Sequence, residues 1–268
     1  MIPPMPTLID THCHLTHGRL RGDLPGVLRR ARQAGLVAMI CAAGDLDEAR
    51  SALDLARSEE DVYCLAGVHP HEAKDAPGDY QARIEQFAAD PKNVAVGEIG
   101  LDYHYDFSPR QAQRRVFTEQ LDLARRLGRR VVVHTREALE DTLAILRTSG
   151  IDGQALVFHS CTEDSAGVRR MLDTGAMVSF SGIVTFAGTD YLRQAARLVP
   201  DERLLIETDS PYLSPEPVRK MKTNEPANVA HLCVCLAAVR GVTPEALAEL
   251  TTANARRFFA LPDHPPRT

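Results

Sequence analysis

Eight short apolar or β-branched runs, each followed by a stretch with helical spacing, limit this chain to very few architectures. The runs are TLIDTHCHL from Thr7, LVAMICAAG from Leu36, VYCLAGVHP from Val62 and NVAVGEIGLDYH from Asn93, then RVVVHTR from Arg130, ALVFHSC from Ala155, AMVSFSGIVTF from Ala176 and RLLIETDSPYL from Arg203. Segments such as LPGVLRRARQAG, DEARSALDLARSEE and PRQAQRRVFTEQLDLARRLG separate them. Eight units in 268 residues come to about 33 residues each, the size of a βα repeat. The runs are nearly continuous in apolar residues rather than alternating, as expected of a parallel sheet covered by helices. Gly35, Gly128 and Gly175 stand where helices would end before the next strand. A helix is expected from near Asn228, and a tail helix over TPEALAELTTANARRFFAL. The expected fold is α/β: a single (β/α)8 TIM barrel, with residues 1–268 as one domain. An open doubly wound sheet is the alternative, but G-x-G-x-x-G is missing after the first run, where HCHLTHG stands.

Composition narrows the function. With 44% hydrophobic and 25% charged residues the chain reads as an ordinary globular protein, long enough to bury a core without disulfides. Tryptophan is absent and aromatics are 5%, which argues against long stacking platforms for nucleic acid. A net charge of −5 argues against coating DNA, though not against a nuclease whose bound cations reverse the local sign. The cysteines at 13, 41, 64, 161, 233 and 235 read as reduced thiols, most of them in apolar runs, with Cys13 set apart between two histidines. The start MIPPMPTLID has no signal-peptide pattern, and no apolar run has the length of a membrane span. A cytoplasmic protein without membrane or protein partners, acting as a monomer, is the expectation.

Ligand-type residues gather at the ends of the runs. His12 and His14 close the first, Glu98 the fourth, His134 the fifth, His159 the sixth and Asp209 the eighth. In a (β/α)8 barrel the C-terminal strand ends surround the active site, so the six are expected to converge. Residues two apart on a strand share a face, so His12 and His14 can serve one ion; alone such a pair is more often just two polar side chains. Imidazole with carboxylate suits Zn, Mn or Fe and, less comfortably, Mg. Six ligands exceed one tetrahedral ion, so two divalent metal ions are expected, with Glu98 as a shared carboxylate. Asp209 is then both a ligand and the base that takes a proton from water.

The segments DTHCHL, GVHPH, GEIGLDYH, VVHTRE, SFSGIVTF, ETDSPYL and NEPANV, in order over nearly the whole chain, resemble the TatD family of metal-dependent deoxyribonucleases, amidohydrolase-like barrels. The resemblance implies that His12, His14, Glu98 and Asp209 hold one ion and Glu98, His134 and His159 the other. It implies hydrolysis of DNA phosphodiesters, commonly as a 3′-to-5′ exonuclease. After His159 the chain reads Ser160-Cys161-Thr162-Glu163 where the family usually has a form like H-C-F-S-G, so the pocket is expected to differ there.

Further residues are candidates for substrate contact. They are His69 and His71 in GVHPH, His104 in GLDYHYD, and Arg219, Lys220 and Lys222 as a phosphate clamp after the eighth strand. Solvated or capping roles are the alternative for each. Glu225 is expected to anchor that last segment through charge pairs, Asp10 to orient a strand or an imidazole, and Glu207 to share a strand face with Asp209. His17, His231 and His264 receive no role. Two other functions compete with DNA cleavage. One is hydrolysis of another ester or C–N bond, as by a D-aminoacyl-tRNA deacylase or amidohydrolase; the other is metal or nucleic-acid binding without catalysis.

Overall fold

The computed structural model describes residues 7–262. All eight expected strands form: β1 Leu8–Cys13, β2 Leu36–Cys41, β3 Val62–Ala66, β4 Asn93–Asp102, β5 Val131–Arg136, β6 Leu156–Phe158, β7 Met177–Phe180 and β8 Leu204–Ile206. They make one sheet in sequence order, β1 through β8, and the strand pairs are parallel. Helices stand between successive strands, the strand order and alternation of a (β/α)8 barrel. Every residue of β1, β3, β6, β7 and β8 is buried, which is why these runs carry no polar alternation.

Two compact units make up the chain. One comprises the chain up to Cys41, Ser160–Arg170 and everything from Val178 on; the other comprises Ala42–His159 and Met171–Met177. In the first unit β1 pairs with β2 from Leu8↔Leu36 to Cys13↔Cys41, and β7 pairs with β8 from Val178↔Leu204 to Phe180↔Ile206. The end of β8 also returns to β1: Thr11 Oγ1 donates to the Ile206 carbonyl at 3.0 Å, and the Asp209 amide donates to the His12 carbonyl at 2.9 Å. That is the closing seam of the barrel. The helices Val229–Arg240 and Pro244–Phe259, both expected, pack on each other, and the second lies against β1 and β8.

In the second unit β4 lies between β3 and β5. Gly100 takes φ +149°, and a Cβ there would collide with the His134 carbonyl oxygen, so only glycine lets β5 approach this closely. Gly35, Gly128 and Gly175 have φ of 96°, 61° and 93°, as their positions after helices required.

Two expectations about strand ends change. β4 runs past Glu98 to Asp102, so Glu98 lies inside the strand. β6 and β8 each have three residues, so His159 and Asp209 follow their strands rather than lie in them. Asp209 has φ +55° and Ser160 φ +43°, left-handed backbone that ends a strand.

Candidate metal centre

In the first unit His12, His14 and Asp209 come together. His14 Nε2 is 3.3 Å and His12 Nε2 3.9 Å from Asp209 Oδ1. Donor atoms of the three residues lie within 4.8 Å of one another. Bonds of about 2.0–2.2 Å to one ion put neighbouring donors roughly 3–3.5 Å apart, so the group fits a divalent cation. The Asp209 amide bonded to the His12 carbonyl, and the His14 amide bonded to the Ser210 carbonyl at 2.7 Å, hold the two chain segments in this register.

Asp10 supports the same seam, but through backbone rather than an imidazole. Its carboxylate accepts from the Thr208 amide at 2.9 Å, the Thr208 hydroxyl at 2.5 Å and the His12 amide at 3.3 Å. Burial lifts its carboxyl to about 8, against the pull of those donors. Asp10→Ala leaves the Thr208 donors buried without an acceptor and is expected to cost about 2–4 kcal/mol. Asp10→Asn keeps one acceptor and should cost less, a difference that urea unfolding of the two variants checks.

In the second unit a denser group forms around Glu98. Its Oε1 lies 2.8 Å from His159 Nε2, 2.9 Å from His134 Nδ1 and 3.3 Å from His69 Nε2, and the facing nitrogens of His134 and His159 are 3.1 Å apart. Glu98, His134 and His69 again offer donor atoms within 4.8 Å of one another. His69 Nδ1 accepts from the His71 amide at 3.1 Å, so the neutral ring carries its proton on Nε2, towards Glu98. Burial lowers the His69 pKa to about 4. Burial thus favours the neutral ring, which donates through its Nε2–H.

Asp102 is the residue that strand-end reasoning missed. Its Oδ2 accepts from His134 Nε2 at 3.2 Å and His71 Nε2 at 3.0 Å, and its Oδ1 from the amides of His104 at 3.0 Å and Tyr105 at 2.8 Å. Burial pushes its carboxyl up, but these donors outweigh it and hold the pKa far below the usual carboxylate range. An ionised Asp102 fixes the His134 proton on Nε2 and leaves Nδ1 facing Glu98 and His159. Burial also opposes charge on His134, yet the two carboxylates prevail and its pKa is raised. The place that attracts a second proton on Nδ1 is the place a cation would take, which is the test of fit this group passes. An even spacing along one strand, Glu98 to Asp102, was the available signal.

A proton and a metal ion compete for His134 Nδ1, so the sign of the pH dependence follows. Below the raised His134 pKa the ring is charged and metal uptake is expected to fall, and above it to recover. Titrating Zn²⁺ or Mn²⁺ into chelator-treated protein across pH is expected to show that loss on acidification, steeper than in Asp102→Asn, where the His134 pKa drops.

The remaining candidates are dispersed. His71 is held by Asp102, and His104 Nδ1 lies 2.7 Å from Glu137 Oε1 at the surface. Arg219, Lys220 and Lys222 are exposed, with the Arg219 guanidinium 4.0 Å from the Phe186 ring centroid. Glu225 anchors its segment to Arg30 at 2.8 Å. Glu207 is buried and accepts from the Ser160 amide at 2.8 Å, so it fastens the loop whose sequence is unusual. None of the six cysteines is in a disulfide; Cys13 is buried, and burial raises its thiol well above the usual range. His17 caps a short helix, His231 lies on the helix Val229–Arg240, and His264 is outside the described residues. Among the described residues no single helix is long and apolar enough to cross a membrane.

Comparison with known proteins agrees with this geometry. Residues 9–260 match the family described as TatD related DNase. The uncharacterized metal-dependent hydrolase YcfH of Escherichia coli K12 is 40% identical over 255 residues, covering 94% of this chain and 95% of that protein. A protein of Erwinia tasmaniensis named 3′-5′ ssDNA/RNA exonuclease TatD is 36% identical over 260 residues, covering 95% and 100%. The crystal structure of YjjV, a TatD homologue from E. coli K12, superposes with a TM-score of 0.89 at 27% identity over 98% of this chain and 100% of that one. Motif order, barrel topology and ligand groups converge: the chain belongs to the TatD-related DNase family of metal-dependent hydrolases.

Proposed function

We propose that this hydrolase cleaves DNA phosphodiester bonds as a 3′-to-5′ exonuclease, acting as one catalytic domain with two divalent ions. The observation that carries the reading is the pair of histidine–carboxylate groups: His12, His14 and Asp209 for one ion, and Glu98, His134 and His159 for the other. Relatives from Erwinia tasmaniensis and Edwardsiella piscicida, 36% and 37% identical, bear the name 3′-5′ ssDNA/RNA exonuclease. When bound, the ions would polarise the phosphoryl oxygen, activate water and offset charge in the transition state; imidazole and carboxylate donors suit Zn, Mn or Mg in that order. Asp209 accepts the proton of the attacking water at a carboxylate oxygen. Asp102 acts through His134, keeping its Nδ1 turned inward. The exposed Arg219, Lys220 and Lys222 are proposed to hold phosphates further along the strand. Six cysteines outside any disulfide suit a reducing cytoplasm, where we place the protein as a monomer.

The test is purified protein reconstituted separately with Mg²⁺, Mn²⁺ and Zn²⁺ and given single-stranded DNA labelled at either end. The expected result is stepwise shortening from the 3′ end with at least one metal. No degradation with any of them, alongside turnover of an aminoacyl ester or cyclic amide, overturns the reading.

A further inference from the structure

The turn after β4 exposes two large aromatic side chains, Tyr105 at 47% and Phe107 at 58%. Their rings stack, with centroids 5.2 Å and planes 27° apart. The Arg136 guanidinium lies over Tyr105, 4.8 Å from the ring centroid. Neighbouring arginines are neutralised, Arg110 by Asp106 and Arg114 by Asp141. Among the described residues no carboxylate or carbonyl accepts a hydrogen bond from the Arg136 side chain.

This surface adjoins the Glu98 group. Arg136 lies two residues past His134 on β5, on the same strand face. The His71 ring meets Phe107 edge-on at 4.8 Å and Tyr105 at 5.5 Å, then His69 at 4.3 Å. Asp102 fastens both parts, holding His134 with one oxygen and the amides of His104 and Tyr105 with the other. The platform therefore keeps a set distance from the hydrolytic group rather than drifting as a loose loop tip.

We propose that Tyr105, Phe107 and Arg136 receive an unpaired nucleotide of the substrate, its base on the stacked rings and its phosphate on the guanidinium. The proposal rests on the nuclease reading and adds to it the residues that select single strands. A base inside a duplex already has both faces stacked, whereas an unpaired base gains a partner here. Every base has a π face, so this contact tolerates sequence. Arginine suits the position because its plane stays on the Tyr105 ring while its donors reach phosphate oxygens. In a chain of net charge −5, one cation without a counter-ion beside the ligand group also draws the phosphodiester towards it.

The test is fluorescence anisotropy with a 5′-labelled, cleavage-resistant phosphorothioate oligothymidylate, compared with the same chain ending in abasic residues. The unsubstituted protein is expected to bind the base-bearing strand about tenfold to a hundredfold more tightly. The double variant Tyr105→Leu, Phe107→Leu should bind both strands alike, and Arg136→Gln should weaken both and lower the salt slope by about one. Both rings are at the surface, and far-UV circular dichroism checks that each variant folds. Equal binding of the two strands by the unsubstituted protein, or a base preference that survives in the double variant, overturns the proposal. Because binding is read without cleavage, a failed nuclease assay beside an intact base preference sinks the nuclease reading alone.

Discussion

Glu98→Ala is expected to abolish hydrolysis, on the order of a thousandfold or more, and to leave the purified protein with less than half its metal. Glu98 is buried at 3% exposure with three imidazole nitrogens within 3.3 Å of one carboxylate oxygen. Removing that oxygen takes away the charge that draws a cation and the acceptor for the His69 Nε2 proton. Of the two carboxylates that raise the His134 pKa, only Asp102 remains, so metal and proton affinity should fall together. Glu98→Gln preserves volume and one acceptor but no charge, and should lose metal nearly as far. A defect in packing would instead spare Glu98→Gln. Asp102→Asn leaves Glu98 in place but loosens the hold on His134, on His71 and on the turn amides of His104 and Tyr105, and should cost about ten- to a hundredfold. Metal analysis beside turnover settles the assignment. A Glu98→Ala protein that retains its full metal content rules out Glu98 as a ligand.

What could be read from the chain, and what could not, follows the range of the interactions concerned. The strands and helices were legible because burial on both faces of a parallel strand writes a local apolar run, and because helical spacing is local too. His12, His14, Glu98, His134, His159 and Asp209 were legible as ligand-type residues in or just after strands, and the structure brings His14 to 3.3 Å from Asp209, and His134 and His159 to 2.9 and 2.8 Å from Glu98. Asp102 was not, since nothing near it in sequence shows that His71 and His134, about 30 residues away on either side, donate to it. Asp10 and Thr208 are 198 positions apart, and only the closed seam shows why a buried carboxyl is needed there. The same holds for Glu207, whose acceptor for the Ser160 amide ties an unusual loop sequence to a residue 47 positions on. Low aromatic content likewise hid a platform built from two rings in one turn, where composition averages over the whole chain.

Asp209→Asn should show whether this residue does more than bind metal. Its backbone has φ +55°, a conformation that asparagine adopts at least as readily as aspartate, so the substitution adds no strain. Its amide still donates to the His12 carbonyl, and the seam with β1 survives. The side chain keeps one oxygen to face His14 Nε2, so the ion beside His12 and His14 weakens without being lost. The amide oxygen, however, cannot take the proton of the attacking water. With metal added to saturation, kcat is expected to remain about a hundredfold to ten-thousandfold low while KM for the oligonucleotide moves little. Hydroxide can substitute for the missing base, so the variant's rate should climb with pH beyond the point where that of the unsubstituted protein levels off. A purely metal-binding Asp209 predicts the opposite: excess metal restores kcat and the two pH profiles superpose.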